Sequence, residues 1–362
     1  MSVGHTSKGA PSSTLSNPQG DSGDSGEAQL RLDIIDGPEQ MSQLSALLDE
    51  AFNAPASGDY LSDFPVWNQS IGPGPDSAIR IGVFDGDQLV ACSAVRLASL
   101  RVPAGDLKVG LIGAVATSPS HRGKGLASRT VSLAVEWARE RGAAMAMLWG
   151  QETSLYERLG FELCGMQVRA PLAELDLGPK PRDLSNVILG RGWVPTLMRS
   201  LRTRGSGLRI ASSDERWIEA HSRVQWYWLG DPEAPMAYAA IDRGLDLQGV
   251  VHEWGGESEA ALKLLLQLVR MERPEAQLLG NPALFGAYNI GASPSGHSPK
   301  TSEIEFLCMA RALDVAKIIS AHGIVLSADD AMLTTPNAAV CRRLFGPAEN
   351  ALPLWIWGLD AV

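Results

Sequence analysis

The chain has 362 residues, of which 45% are apolar and 20% charged, and its formal net charge is −10. That length exceeds what one compact core holds and predicts two or three domains. The acidic balance excludes general nucleic-acid binding, which needs a basic face, and no apolar run reaches the roughly 18–20 residues of a membrane span.

Residues 1–28 are rich in Ser, Gly and Pro and lack the apolar stretch of a secretory signal. They are expected to form a disordered tail on a cytoplasmic protein. Leu30, Leu32 and Ile34 alternate as in a half-buried strand. Pro38 then suits the first turn of a helix that places Met41, Leu44, Leu47 and Leu48 on one face. Asn53–Ser77 reads as irregular, with Tyr60, Phe64, Trp67 and several prolines. Asp85-Gly86 joins two β-rich runs into a hairpin. The run "LKVGLIGAVAT" is nearly all apolar, so it should be a central strand covered on both faces. An amphipathic helix follows from Leu126, with Val131, Ala134, Trp137 and Ala138 inward and Gly142 closing it. A buried strand "AAMAMLWG", a short helix "TSLYERLG" and a strand "FELCGMQVRA" complete this part.

The second half reads as strand, turn and strand, then a helix with Leu262, Leu265, Leu266 and Val269 inward. It is a weak echo of the first strand-to-helix crossover. A Ser/Pro/Gly-rich loop over Gly291–Thr301 precedes a last strand and helix, and the apolar ending "LPLWIWGLDAV" should dock on the protein. The boundaries expected are 29–170 for a first α/β domain, 171–300 for a second lobe and 301–362 for a short C-terminal segment. The four cysteines, Cys92, Cys164, Cys308 and Cys341, lack the spacing of zinc ligands. They are expected to be reduced core thiols, and no metal is expected.

The chemistry concentrates on "SPSHRGKGLA", residues 118–127, between the central strand and the amphipathic helix. A helix start offers free N–H groups and a dipole that favours an anion. Gly123 and Gly125 let the backbone approach a ligand, and Arg122 and Lys124 add charge and donors. Together they would cradle a pyrophosphate. Neither the Walker A pattern nor the Rossmann glycine fingerprint is present.

"VATSPSHRGKGLA" resembles the R/Q-x-x-G-x-G/A motif of the GCN5-related N-acetyltransferases (GNAT), with Arg122, Gly125 and Ala127 in the motif positions. "LYERLGFE" is similar to the Tyr-x-x-x-Gly-Phe/Tyr segment of the same enzymes. The length and ending resemble the Enhanced-intracellular-survival (Eis) type, which has two acetyltransferase-like lobes and a sterol-carrier-like C-terminal domain. The fold class so implied is α/β with a mixed sheet, the acyl-CoA N-acyltransferase fold in two tandem lobes. The C-terminal segment would be a reduced sterol-carrier-like one.

The resemblance implies acetyl-CoA as acyl donor. Val115, Ala116 and Thr117 would pair with the pantetheine arm, and Arg122, Gly123, Lys124, Gly125, Leu126 and Ala127 would hold the pyrophosphate. It implies Tyr156 as the acid that protonates the CoA thiolate. The central strand carries no glutamate to act as base; the resemblance to the Eis type implies the C-terminal carboxylate, here that of Val362, with a water chain to solvent as the alternative and Glu152 a minor one. Asp59, Asp63 and Trp67, with Tyr60 and Phe64, are candidates to line the site of a cationic amine. His121 is expected to be a solvated turn residue, and Trp226, Tyr227 and Trp228 to be core. The expected partners are a small-molecule or peptide amine and, because Eis-type members assemble as hexamers, a second copy of the chain. The opposing reading is a non-catalytic module that binds acyl-CoA or a partner protein.

Overall fold

The structure is a computed structural model that describes residues 30–54, 60–244, 246–290, 303–325, 337–347 and 351–361. The expected N-terminal tail, Asp59, the loop over Gly291–Thr301 and Val362 lie outside the described residues.

The first lobe opens with β1 (Leu30–Ile34), α1 (Pro38–Ala51) and α2 (Tyr60–Asp63). It continues through β2 (Ala78–Asp85), β3 (Gln88–Val102), β4 (Gly105–Thr117), α3 (Leu126–Glu140), β5 (Met145–Leu148), α4 (Thr153–Arg158) and β6 (Glu162–Pro171). The stretch read as irregular holds α2 and a tight turn at Pro65–Trp67, because Tyr60, Leu61 and Trp67 are drawn into the core. β1 to β4 run antiparallel, and Gly86 adopts a left-handed φ of 59° in the β2–β3 turn. β4 then pairs in parallel with β5 across the α3 crossover.

β4 is covered on both faces, as its composition requires. Val109 and Leu111 join the cluster of Leu44 and Leu48 from α1. Ile112 joins that of Val131, Ala134 and Ala138 from α3. Gly110 lets α3 settle close, since a Cβ there would lie 2.7 Å from the Ala138 Cβ.

The second lobe comprises β7 (Leu189–Arg191), α5 (Leu197–Thr203), α6 (Glu215–Glu219), β8 (Gln225–Asp231), β9 (Ala234–Arg243), β10 (Leu247–Gly256), α7 (Glu259–Glu272), β11 (Gln277–Gly280) and α8 (Pro282–Ala287). The last elements are β12 (Glu303–Ala312), α9 (Val315–Ala321) and α10 (Asn337–Phe345). All the strands form one sheet in the order β1-β2-β3-β4-β5-β12-β6-β11-β10-β9-β8-β7.

That order corrects the expected boundaries. β6 leaves the first lobe to pair with β11 of the second, and β12 returns to lie between β5 and β6. The expected sterol-carrier-like segment over 301–362 therefore opens with a central strand of the shared sheet. Leu307, Cys308, Met309 and Ala310 are all buried, so this strand needs cover on both faces and finds it only inside the sheet. α9 packs against β4, and α10 against β6 and β12. No described helix is long and apolar enough to cross a membrane.

Replacing Gly110 by Val, a residue suited to strands, should lower unfolding free energy by about 1–3 kcal/mol through overpacking against Ala138. Urea denaturation of the two proteins measures it.

Candidate active site

β4 and β5 part company midway. Their parallel register runs from Val109 opposite Met145 to Ile112 opposite Leu148 and stops. β4 continues to Thr117, still paired with β3 but with a bulge between Gly113 and Ala116. Within the bulge Ala114 takes a left-handed φ of 51°, an unusual state for a residue with a Cβ. The edge of β4 that β5 abandons thus presents Val115, Ala116 and Thr117 along an open slot. The Thr117 hydroxyl is buried there without a hydrogen-bond partner.

At the end of this edge the chain turns into α3. Pro119–His121 makes one tight turn, and Ser118 N–H donates to the Val90 carbonyl at 2.9 Å. His121 is not solvated as expected. Its ring bridges Asp85 at 3.1 Å and the Ser120 hydroxyl at 2.9 Å, which moors the turn to the end of β2. Gly123 and Gly125 have left-handed φ values of 78° and 74°. Gly125 is the residue before α3 and supplies no side-chain cap.

Among the described residues, no backbone N–H from Gly123 to Ser128 has a hydrogen-bond acceptor. Arg122 through Gly125 are exposed. Six consecutive donors at the positive end of a helix, beside Arg122 and Lys124, form a cradle for a doubly charged anion. The residues predicted for acetyl-CoA are therefore brought together: an open strand edge of the right polarity leads directly to this cradle.

Tyr156 stands on α4 across the slot. It is 6% exposed, and its ring packs with Ile112 and Leu148, the last paired residues of the two strands. Gly150 makes room for it, since a Cβ there would lie 2.5 Å from the ring. The hydroxyl has no hydrogen-bond partner among the described residues. Burial, and then the nearby charge of Glu152, raises its pKa above the ordinary 10. It is a protonated donor throughout the neutral range.

The opposite wall is Tyr60, whose hydroxyl lies against the Ala114 backbone and whose pKa burial also raises. Tyr60 stacks on Phe64 at 4.6 Å, and the Arg243 guanidinium lies 4.8 Å over the Phe64 ring. Two of the acceptor candidates are corrected here. Asp63 is buried and takes Arg223 at 2.9 Å, because it meets the β9–β10 turn of the second lobe. Trp67 is fully buried in the core. Neither lines an open pocket.

Sequence reasoning missed a set of buried charges behind this wall. Arg204 donates from Nη1 to both oxygens of Glu253 at 2.8 Å and from Nη2 to Asp360. Arg96 Nη2 donates to the Asp360 carbonyl at 3.0 Å. Arg243 donates to the carbonyls of Gly358 and, at 2.9 Å, Ala361. Burial raises the pKa of Asp360 and of Glu253; it works against the charge of Arg204, but Asp360 and Glu253 outweigh it. The only signal in the sequence is that single charges interrupt the apolar runs "VVHEW" and "LWIWGLDAV".

The second lobe repeats the framework without the site. α8 ends as α4 does: Ile290 N–H returns to the Phe285 carbonyl, as Phe161 N–H returns to that of Tyr156. Asn289 takes the left-handed place of Gly160. Phe285 thus stands where Tyr156 stands, with no hydroxyl to give. β10 enters α7 through Gly255, Gly256 and Glu257, and the Ser258 hydroxyl caps the helix. A groove of about 1140 Å³ opens between β10 and α8, floored by Trp254, Tyr288 and Trp357. Trp226, Tyr227 and Trp228 are core, as expected.

Residues 37–164 match the model of the acetyltransferase (GNAT) domain. A comparison with curated proteins gave no match. Among solved structures, the chain is similar to a GCN5-related N-acetyltransferase from Kribbella flavida, with 20% identity and a TM-score of 0.59 over 81% of this chain and 73% of that one. It is similar to a GCN5-related N-acetyltransferase from Anabaena variabilis, with 15% identity and a TM-score of 0.56 over 80% and 75%. Eis1 from Mycobacterium abscessus shows 14% identity and a TM-score of 0.54 over 81% and 76%. At these identities the likeness is one of fold, and it spans both lobes.

Gly125→Val puts a β-branched residue at a left-handed φ of 74° in the middle of the cradle. Isothermal titration with acetyl-CoA should show binding lost while the circular-dichroism spectrum is kept. Retained affinity would refute the assignment of the cradle.

Proposed function

We propose that this chain, whose residues 37–164 match the acetyltransferase (GNAT) domain model, is an N-acetyltransferase that moves the acetyl group of acetyl-CoA to a primary amine by direct transfer in a ternary complex. The observation that carries the reading is the continuity of the open β4 edge with the six free amides of the turn. Few ligands need both a strand edge to pair with and an anion cradle beyond it. A pantetheine arm ending in a pyrophosphate does.

In this reading the amides of Gly123 to Ser128 hold the pyrophosphate, with Arg122 and Lys124 beside it. Val115, Ala116 and Thr117 align the pantetheine amides, which brings the thioester to the point where β4 and β5 separate. In this reading a main-chain N–H freed at the Ala114 bulge serves the thioester oxygen, which gains negative charge as the amine attacks. Collapse of the tetrahedral intermediate breaks the C–S bond, and Tyr156 gives its proton to the departing sulfur. The proton lost by the amine is assigned to the carboxylate of Val362. The support is local: Arg243 holds the Ala361 carbonyl while its guanidinium lies over the Phe64 ring, which stacks on Tyr60.

Direct transfer is supported by the state of the nearest thiol. Cys92 adjoins the bulge, yet it donates to the Ala114 carbonyl at 3.2 Å, and burial pushes its pKa up to about 12. A thiol so protonated is no nucleophile at neutral pH.

Tyr156→Phe should lower kcat by about 10²-fold or more and leave the acetyl-CoA dissociation constant unchanged. Thiol release measured across polyamines, aminoglycosides and lysine peptides tests it. In the wild type, loss of the tyrosine proton should not lower kcat below pH 10, since the raised pKa keeps the acid form there. Acetyl-CoA binding without transfer to any amine would favour the non-catalytic module instead.

A further inference from the structure

Four ionisable side chains meet where the two lobes and the tail converge. Arg96 comes from β3, Arg204 from the end of α5, Glu253 from β10 and Asp360 from the tail. All four are at least nine-tenths buried. The guanidinium of Arg96 also lies 5.1 Å over the Trp217 ring, and Trp357 Nε1 donates to the Ser206 carbonyl at 3.2 Å. Two arginines face two carboxyl groups.

Its connections point one way. Glu253 holds Arg204 by both oxygens. Arg204 then reaches the Asp360 side chain, and Arg96 the Asp360 carbonyl. Gly358 N–H donates to the His252 carbonyl at 3.2 Å, on the residue before Glu253. Gly358 packs so tightly there that a Cβ would lie 2.6 Å from that of His252. The last described residues of the tail are therefore tied by hydrogen bonds from both lobes, with Arg243 adding its bonds to the Gly358 and Ala361 carbonyls. Arg96 sits opposite Leu111 in the β3–β4 register, beside the level at which β5 leaves β4.

We propose that Arg96, Arg204 and Asp360 form a clamp that sets the tail as a wall of the acetyl-transfer cleft, which makes Asp360 and Arg204 positioning residues for the reaction. The proposal rests on the acetyl-transfer reading above. None of the three touches the cradle. The second lobe then contributes to catalysis by placing a segment of chain and not by binding acetyl-CoA.

The test compares Asp360→Asn with the double variant Arg204→Met/Asp360→Leu. Three quantities are measured: acetyl-CoA affinity by titration, kcat and KM for spermidine, kanamycin and a blocked lysine peptide, and hydrogen exchange of residues 351–361. Asp360→Asn should keep acetyl-CoA affinity and the protection of β4. Its tail amides should exchange faster, and kcat should fall by about 10²-fold, as expected for misplacement of a wall by an ångström. An apolar pair in place of a buried ion pair commonly restores stability, so the double variant should recover thermal stability but not kcat. Recovery of kcat together with stability would show that the ions only hold the fold, and would overturn the proposal. Unchanged kcat and tail exchange in Asp360→Asn would overturn it as well. Should Asp360→Asn not fold, Arg96→Lys is read in the same way. A wild type that binds acetyl-CoA and acetylates none of the amines would defeat the functional reading, while tail exchange would still decide whether the clamp holds the tail.

Discussion

The loss of β5 from the edge of β4 after Ile112 is the constraint on which the site depends. A parallel strand in a covered sheet normally satisfies its backbone on both sides. Here five residues, Gly113 to Thr117, keep only the β3 side, and even that is disturbed by a bulge. Unpaired backbone groups next to a buried core are costly unless something bonds them. The same strand leads into a turn whose glycines are left-handed and whose amides are free. Backbone groups without partners fall in two stretches, the β4 edge at Gly113–Thr117 and the amides of Gly123–Ser128, joined by the internally bonded turn at Ser118–Arg122, and together they match an extended ligand with an anionic end.

The exchange of β6 and β12 explains why the lobes cannot be treated as separable. Each lobe needs a strand that the other part of the chain supplies, and β12 is buried on both faces in the middle of the sheet. Burying Arg204, Glu253 and Asp360 between the lobes is workable only because they satisfy one another. Removing one member of such a group costs about 3–5 kcal/mol. An exposed ion pair contributes about 1 kcal/mol or less. The tail is thus held far more firmly than by surface contacts, and its last described residue, Ala361, is held by the arginine that lies over Phe64.

What the sequence makes legible is what is local. The cradle could be read from Arg122, Gly123, Lys124 and Gly125 because capping and left-handed φ are properties of a few adjacent residues. Tyr156 could be read from its place after a buried strand. The place of β12 could not, because "EIEFLCMARA" looks the same as a lone strand or as the centre of a sheet. Asp63 and Trp67 looked like acceptor residues because carboxylates and aromatics in a loop suggest a cation. Only tertiary contact shows that Arg223 takes the one and the core the other. Arg96, Arg204 and Asp360 are more than 100 residues apart in pairs, and nothing in their neighbourhoods announces that they meet.

The two lobes show what distinguishes a site from a scaffold. Both carry a central strand, a crossover helix and a short helix ending in a left-handed residue. In the first, the helix start is left uncapped, basic and glycine-rich, and the short helix carries Tyr156. In the second, Ser258 closes the helix start, Glu257 and Glu259 put negative charge where an anion would bind, and Phe285 replaces the tyrosine. Each change removes one element of the chemistry while keeping the packing. β10 carries Glu253, which holds Arg204, and His252, whose carbonyl takes Gly358 of the tail. Under the proposed reading, the second lobe supports the cleft of the first by holding the tail.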